Sequence, residues 1–230
     1  MTVYDEARIN MVENQLRPNK VTDERVIDAF LRLRRELFVP PALRGVAYID
    51  EDLRIAPGIG PGIAPGISPG RFLMEPMLAA RLVQALAAQP RDTALVVGAG
   101  VGYEAAALAL LARGVVALEE NPELARLGRS ALVDHGIAAV TYVEAPLRPG
   151  HRQRAPYDTI LFGGAVAEAP VEILDQLAEG GRLAVVLRQR GCVGRATLIT
   201  RTGGVLAQRV IFDAATPLLP GFEEKPGFVF

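Results

Sequence analysis

A chain of 230 residues that is 50% hydrophobic, 22% charged and of formal net charge -1 has the make-up of a globular protein with room for one α/β domain and an appendage. The near-neutral balance gives no field that would draw nucleic acid or an anionic membrane, and no apolar run reaches membrane-spanning length. The single cysteine, Cys192, excludes an intrachain disulfide, fits a reducing compartment and has no partner motif between Gly191 and Gly194. Met1 to Glu6 has no basic segment followed by an apolar one, so no signal peptide is expected, and the expectation is a cytoplasmic protein.

In chain order, Asp5 to Leu16 reads as a helix with Ile9, Val12 and Leu16 on one face, stopped by Pro18. Thr22 is expected to cap a second helix, with Asp23 and Glu24 in its first turn. Val26, Ile27, Phe30, Leu33 and Leu37 form its apolar stripe and Pro40-Pro41 ends it; Arg32, Arg34 and Arg35 along it read as a solvated face. These segments lack the strand–helix alternation that follows, so residues 1–75 are read as a helical cap and 76–230 as the ligand-binding domain, packed as one unit. Within the cap, Ala56 to Gly70 repeats Pro-Gly at Pro57, Pro61, Pro65 and Pro69. Proline removes a ladder donor and glycine weakens a helix, so this stretch reads as loop, either a flap over a ligand or a tolerated insertion.

Pro76 suits the first turn of a helix whose buried stripe is Leu78, Leu82, Val83 and Leu86. Ala94 to Val97 is an apolar run without charge, the pattern of a strand buried on both faces. Gly98, Gly100 and Gly102 follow at alternate positions, where the lack of Cβ atoms lets the backbone turn sharply and a ligand approach. A helix pattern begins at about Tyr103 and runs through Ala105, Leu108 and Leu111. Strand, glycine turn and helix start form the geometry of a nucleotide site at the end of a parallel strand. A dinucleotide fingerprint would need a small residue where Tyr103 stands. The Gly-x-Gly-x-Gly spacing, with Ala99 inside it, resembles instead that of S-adenosylmethionine (SAM) methyltransferases.

Val115 to Leu118 is the next apolar run and ends in Glu119-Glu120, about twenty residues past the first glycine, where a carboxylate can accept two ribose hydroxyls. Glu119 is the preferred candidate; alternatively the pair serves the N-terminus of the Pro122 helix, or each does one job. Val140 to Val143 and Tyr157 to Phe162 read as further strands, with Gly163-Gly164 as a turn beside the ligand crevice. Pro170 is expected to open a helix carrying Ile173, Leu174 and Leu177 and closed by Gly180-Gly181, followed by a strand from Arg182 to Leu187. Thr197 to Thr200 and Ala207 to Phe212, joined across Gly203-Gly204, read as a terminal antiparallel hairpin before an irregular tail. The sum is an α/β fold, a Rossmann-like doubly wound sheet with an N-terminal helical cap. His135 and His151 read as surface histidines, neither in metal-ligand spacing.

Several stretches together resemble the protein-L-isoaspartate O-methyltransferase family over most of the chain. They are Arg8 to Leu16, Arg34 to Pro40, Ala47 to Leu53, Pro156 to Ile160, and Gly180-Gly181-Arg182-Leu183. The resemblance implies SAM as methyl donor and the carboxylate of a damaged aspartate, in a peptide or protein or a small carboxylate, as acceptor. It implies cofactor contacts from Gly98, Ala99, Gly100, Gly102, Glu119 and Glu120, and a sheet of the methyltransferase type in which one of the last strands inserts antiparallel. There are departures. The family's Thr-Ile-Ser-x-Pro corresponds to Phe72-Leu73-Met74-Glu75-Pro76, so Met74 holds the serine's place, and Phe72, Met74 and Glu75 become the acceptor-side candidates. Val96 stands where an acidic residue is usual, and the family's Gly-Asp-Gly corresponds to about Glu144-Ala145-Pro146, leaving Glu144 to replace the aspartate at the adenine.

A carboxylate acceptor is already ionised at neutral pH, so methyl transfer to it needs alignment and dryness and no general base. Three readings follow: a SAM-dependent O-methyltransferase, a non-catalytic descendant that binds SAM or a partner, and a nicotinamide oxidoreductase, which the glycine spacing disfavours.

Overall fold

The computed structural model describes residues 2–57 and 70–224. Most of the Pro-Gly stretch and the last six residues of the tail lie outside the described residues. In chain order the elements are α1 (Val3–Met11), continued by a π-helical turn (Val12–Leu16), α2 (Glu24–Arg32), β1 (Leu53–Ala56), β2 (Arg71–Leu73), α3 (Pro76–Ala85), β3 (Thr93–Val97), α4 (Tyr103–Ala109), β4 (Gly114–Glu119), α5 (Pro122–Asp134) and β5 (Val140–Glu144). β6 (Tyr157–Val166), the single turn α6 (Val171–Leu174), β7 (Leu177–Leu187), β8 (Arg195–Thr202) and β9 (Val205–Asp213) complete the fold. Short 3-10 turns occupy Arg35–Leu37, Pro41–Val46 and Arg152–Arg154.

Seven strands form one sheet in the order β5-β4-β3-β6-β7-β8-β9. β5 to β7 across the middle are parallel, and β8 and β9 continue it antiparallel. Right-handed crossovers through helices are what join parallel neighbours, and the charge-free run Ala94 to Val97 lies at the centre, where both faces are covered. The chain reverses its direction of growth between β3 and β6, so the crevice for a ligand lies at their carboxyl ends. The terminal hairpin adds in sequence at the sheet edge, and among the described residues no strand inserts between earlier ones. Its two-residue Gly203-Gly204 turn, left-handed at both positions (φ 60° and 75°), permits only adjacent pairing.

The helical cap and the sheet share one core. Met11, Leu16, Ile27 and Phe30 from the cap lie in the same buried cluster as Leu78, Leu82, Ala105 and Leu108. Several expectations are corrected here. The cap of α2 is Asp23, whose side chain accepts from the Arg25 N–H, and the helix stops at Arg32 instead of running past Leu37. The cause is Arg35, which is not on a solvated face: it is fully buried and donates to the carbonyls of Ala47 and Met74, at 2.6 and 2.7 Å. Gly163-Gly164 is no turn but lies within β6. A Cβ on Gly163 would overlap the Gly98 carbonyl oxygen, so close backbone approach explains the glycine. The Pro170 helix is a single turn, and Leu177 and Gly180-Gly181 belong to β7, where the residues from Ala178 to Gly181 bulge out between the pairs Tyr157–Leu177 and Thr159–Arg182.

Candidate functional site

β3 delivers the chain to the crevice and the glycines turn it there. Gly98, Gly100 and Gly102 all have left-handed backbones, with φ of 71°, 55° and 82°. The conformation is fixed by the N–H groups of Gly98 and Ala99, which donate to the Leu118 carbonyl at the end of β4, and by the Gly102 N–H on the Ala99 carbonyl. A side chain at these positions would meet a strained φ and close neighbours: Leu219 at 2.9 Å from a Cβ on Gly98, Ile55 at 3.3 Å from one on Gly100. The Tyr142 hydroxyl, from β5, lies under the loop and donates to the Gly100 carbonyl at 3.2 Å.

Glu119, last residue of β4, is fully buried against this loop. Its Oε2 accepts the Gly100 N–H at 2.6 Å, and its Oε1 accepts the Asn121 N–H at 2.9 Å and Nη1 of Arg71 at 2.7 Å. Arg71, first residue of β2 and 4% exposed, also donates through Nη2 to the Gly98 carbonyl at 2.8 Å. Sequence alone does not point to Arg71: an arginine after a glycine matches no motif, and only the β1–β2 ribbon brings it against Glu119, 48 residues further along the chain. Glu120 stands exposed at the rim. Asn121 caps α5, its side chain accepting from the Glu123 and Leu124 N–H groups. Glu144 is exposed and paired with Arg129 at 2.7 Å, while Val96 is fully buried within β3.

On the other side of the loop the chain enters α3 through Phe72, Met74 and Glu75. Met74 is 1% exposed, so its thioether packs into the core and does not line an open acceptor face; Phe72 and Glu75 are half-buried. The Glu75 N–H donates to Asp52 at 2.9 Å. Burial, together with the Asp52 and Asp50 charges, pushes the Glu75 carboxyl up to about 7.

Beneath the loop lies a polar cluster that the sequence did not announce. The Arg35 guanidinium stacks on the Tyr103 ring, 4.7 Å from its centroid, and Glu104 is buried beside them in the first turn of α4. Burial pushes Glu104 up to about 7, against the opposing pull of Arg35. Its Oε1, the Tyr103 hydroxyl and Nη1 of Arg35 lack hydrogen-bond partners among the described residues. The histidines are not simply on the surface. His135 is half-buried, accepts the Arg34 N–H at Nε2 (2.9 Å) and places Nδ1 2.6 Å from the Ala131 carbonyl, an arrangement of the neutral Nδ1–H tautomer. Burial lowers its pKa. Among the described residues no group of three or more His, Cys, Asp or Glu is arranged to hold a metal ion, and no helix is long and apolar enough to cross a membrane.

The backbone of this cradle suits an adenosyl group: three left-handed glycines at the switch point, with a carboxylate at the end of the neighbouring strand. The backbone fits such a group; the Glu119 carboxylate stands at the right place but already accepts from three donors, with Arg71 and Leu219 standing over the loop.

The sequence profile of the family described as Protein-L-isoaspartate(D-aspartate) O-methyltransferase (PCMT) matches residues 7–211. A Methanoculleus marisnigri protein-L-isoaspartate O-methyltransferase is 35% identical over 198 residues, 86% of this chain and 84% of that protein. Those of Aeropyrum pernix and Gloeobacter violaceus are 39% and 34% identical, over 79% and 94% of this chain and 67% and 98% of theirs. Among solved structures, a protein-L-isoaspartate O-methyltransferase superposes with a TM-score of 0.74 at 22% identity, covering 93% of this chain and 66% of the other. A Plasmodium falciparum chain assigned to the same methyltransferase class, in complex with S-adenosyl-L-homocysteine (SAH), superposes with a TM-score of 0.71 at 19% identity, over 95% and 99%. These two share the fold.

Proposed function

The chain belongs to the protein-L-isoaspartate(D-aspartate) O-methyltransferase family, and on that premise we propose that it transfers a methyl group from SAM to the carboxylate of an isoaspartyl residue in a peptide or protein. The observation that carries this reading is the left-handed glycine loop locked to the Glu119 carboxylate at the sheet's switch point, in a chain that matches the family across 7–211. Bound there, SAM supplies a sulfonium methyl as the electrophile. Gly98, Ala99, Gly100 and Gly102 would offer backbone that the cofactor can approach, Glu119 would take the ribose hydroxyls with Glu120 beside it, and Glu144, exposed and paired with Arg129, would be the candidate for the adenine.

The protein's task is alignment and exclusion of water. Correct placement of two reactants is worth about 7–11 kcal/mol of barrier, and joining a cation to a carboxylate removes charge, which a dry crevice favours. Leu219 and Ile55 supply the apolar walls beside the loop. No base is required because the acceptor is already ionised. The family serine is absent at Met74; Glu75, next to it, is the acceptor-side candidate in its place, and with its carboxyl raised to about 7 its acid form would have a proton to donate to an acceptor carboxylate. Hydrogen bonds to charged groups are worth about 1.5–3 kcal/mol, enough to position the acceptor.

The test is transfer of labelled methyl from SAM to an isoaspartyl peptide, with the same peptide carrying ordinary aspartate as control. Base-labile ester on the isoaspartyl peptide alone supports the assignment. Absence of ester from both, with folded protein and SAM in excess, overturns it.

A further inference from the structure

Arg71 sits where a bound ribose would have to be received. Glu119 already carries three hydrogen bonds, and two of the donors, the Gly100 and Asn121 amides, belong to backbone turns. A carboxylate offers about four acceptor positions, so two ribose hydroxyls cannot be added while all three donors remain. The one donor on a side chain is Arg71. Its guanidinium bridges Glu119 and the Gly98 carbonyl, and Nη2 lies 3.3 Å from the point a Gly98 Cβ would occupy, in the space through which a ligand meets the loop.

We infer that Arg71 and the ribose of the cofactor compete for Glu119, so that Arg71 sets the affinity of the site and must withdraw before the nucleoside is seated. The inference rests on the assignment of Glu119 to the ribose proposed above. Arg71 and Glu119 are both buried, so the pair is screened little by salt and holds the guanidinium in place. If the form with Arg71 withdrawn is about 1–10% of the population, the apparent Kd is weaker than the intrinsic one by about 10–100-fold. The excess belongs to the protein's own ion pair, not to any defect of the glycine loop.

Calorimetric titration with SAH of the wild type, Arg71→Ala and Arg71→Lys tests this directly. Arg71→Ala is expected to bind at least about tenfold more tightly than wild type. Arg71→Lys, whose single ammonium cannot bridge Glu119 and the Gly98 carbonyl with two parallel arms, falls between them. Equal affinities in all three overturn the competition and leave the cofactor site standing. Weaker binding by Arg71→Ala makes Arg71 a cofactor contact and also overturns it. No binding by any of the three removes both the competition and the cofactor assignment. If Arg71→Ala does not fold by circular dichroism, stopped-flow mixing of the wild type with SAH decides the point: the observed rate levels off with concentration if Arg71 must withdraw, and a rate rising linearly throughout overturns the proposal.

Discussion

At the scale of single residues, the site is controlled by contacts that pass between backbone atoms and a few buried side chains. Gly100→Val places a β-branched residue at φ 55° with Ile55 close by, a strain of about 1–2 kcal/mol. We expect a variant that still unfolds cooperatively in urea but shows no heat of SAH binding; unchanged affinity would remove the loop from the cofactor site. Met74→Ser would restore the family's hydroxyl, yet Met74 is buried, so the truncation opens a cavity and a loss of about 2–5 kcal/mol is expected in urea unfolding. Glu75 gives a pH signature. Its acid form is the donor, so transfer to the peptide should decline as pH rises through about 7, and Glu75→Gln, a permanent donor, should flatten that decline. At this scale the glycines and Glu119 were legible because their spacing is a local pattern. Arg71, Arg35 and Glu104 were not, because what makes each of them matter is a partner or a burial created only by folding.

The elements were legible where periodicity and termini carry the information. The central strands β3 and β4 follow from charge-free runs, α3 from proline at the first turn with a buried stripe behind it, and α5 from Pro122 at its start. Legibility failed where tertiary contact overrides the local signal. α2 stops early because Arg35 is drawn inward to two carbonyls, and glycines in β6 and β7 signalled turns although they serve close approach and a bulge. Helix caps offer a test at this scale. Asn121 caps α5 and its own N–H is also held by Glu119, so Asn121→Ala should cost about 1 kcal/mol in urea unfolding through loss of the side-chain cap alone, because the backbone N–H remains. A loss within error would show that α5 is held by packing and not by its cap.

For the whole molecule, the shared core makes stability and site inseparable, and buried ionisable groups make both depend on pH. Glu104 has its pKa raised to about 7 by burial, so the native state holds a proton that the unfolded chain releases near 4.5. Its contribution is therefore most favourable below 4.5 and declines as pH rises through about 7. Against Glu104→Gln, the wild type should lose relative stability over that window; parallel stability curves would contradict the burial argument. His135 acts oppositely: its lowered pKa favours the neutral ring in the native state, so its contribution is present above 6.5 and lost as pH falls below that value. Fold class and family were legible across most of the chain because strand–helix alternation and dispersed motifs survive substitution. The ion pair over the loop was not, since it joins β2 to β4 across the crevice. The measurement that bears most directly on the account is a crystal structure of the protein grown with SAH. The nucleoside is expected between the Gly98–Gly102 loop and Glu119, with the Arg71 guanidinium displaced from that carboxylate. Ligand bound elsewhere, with Glu119 still held by Arg71, would contradict it.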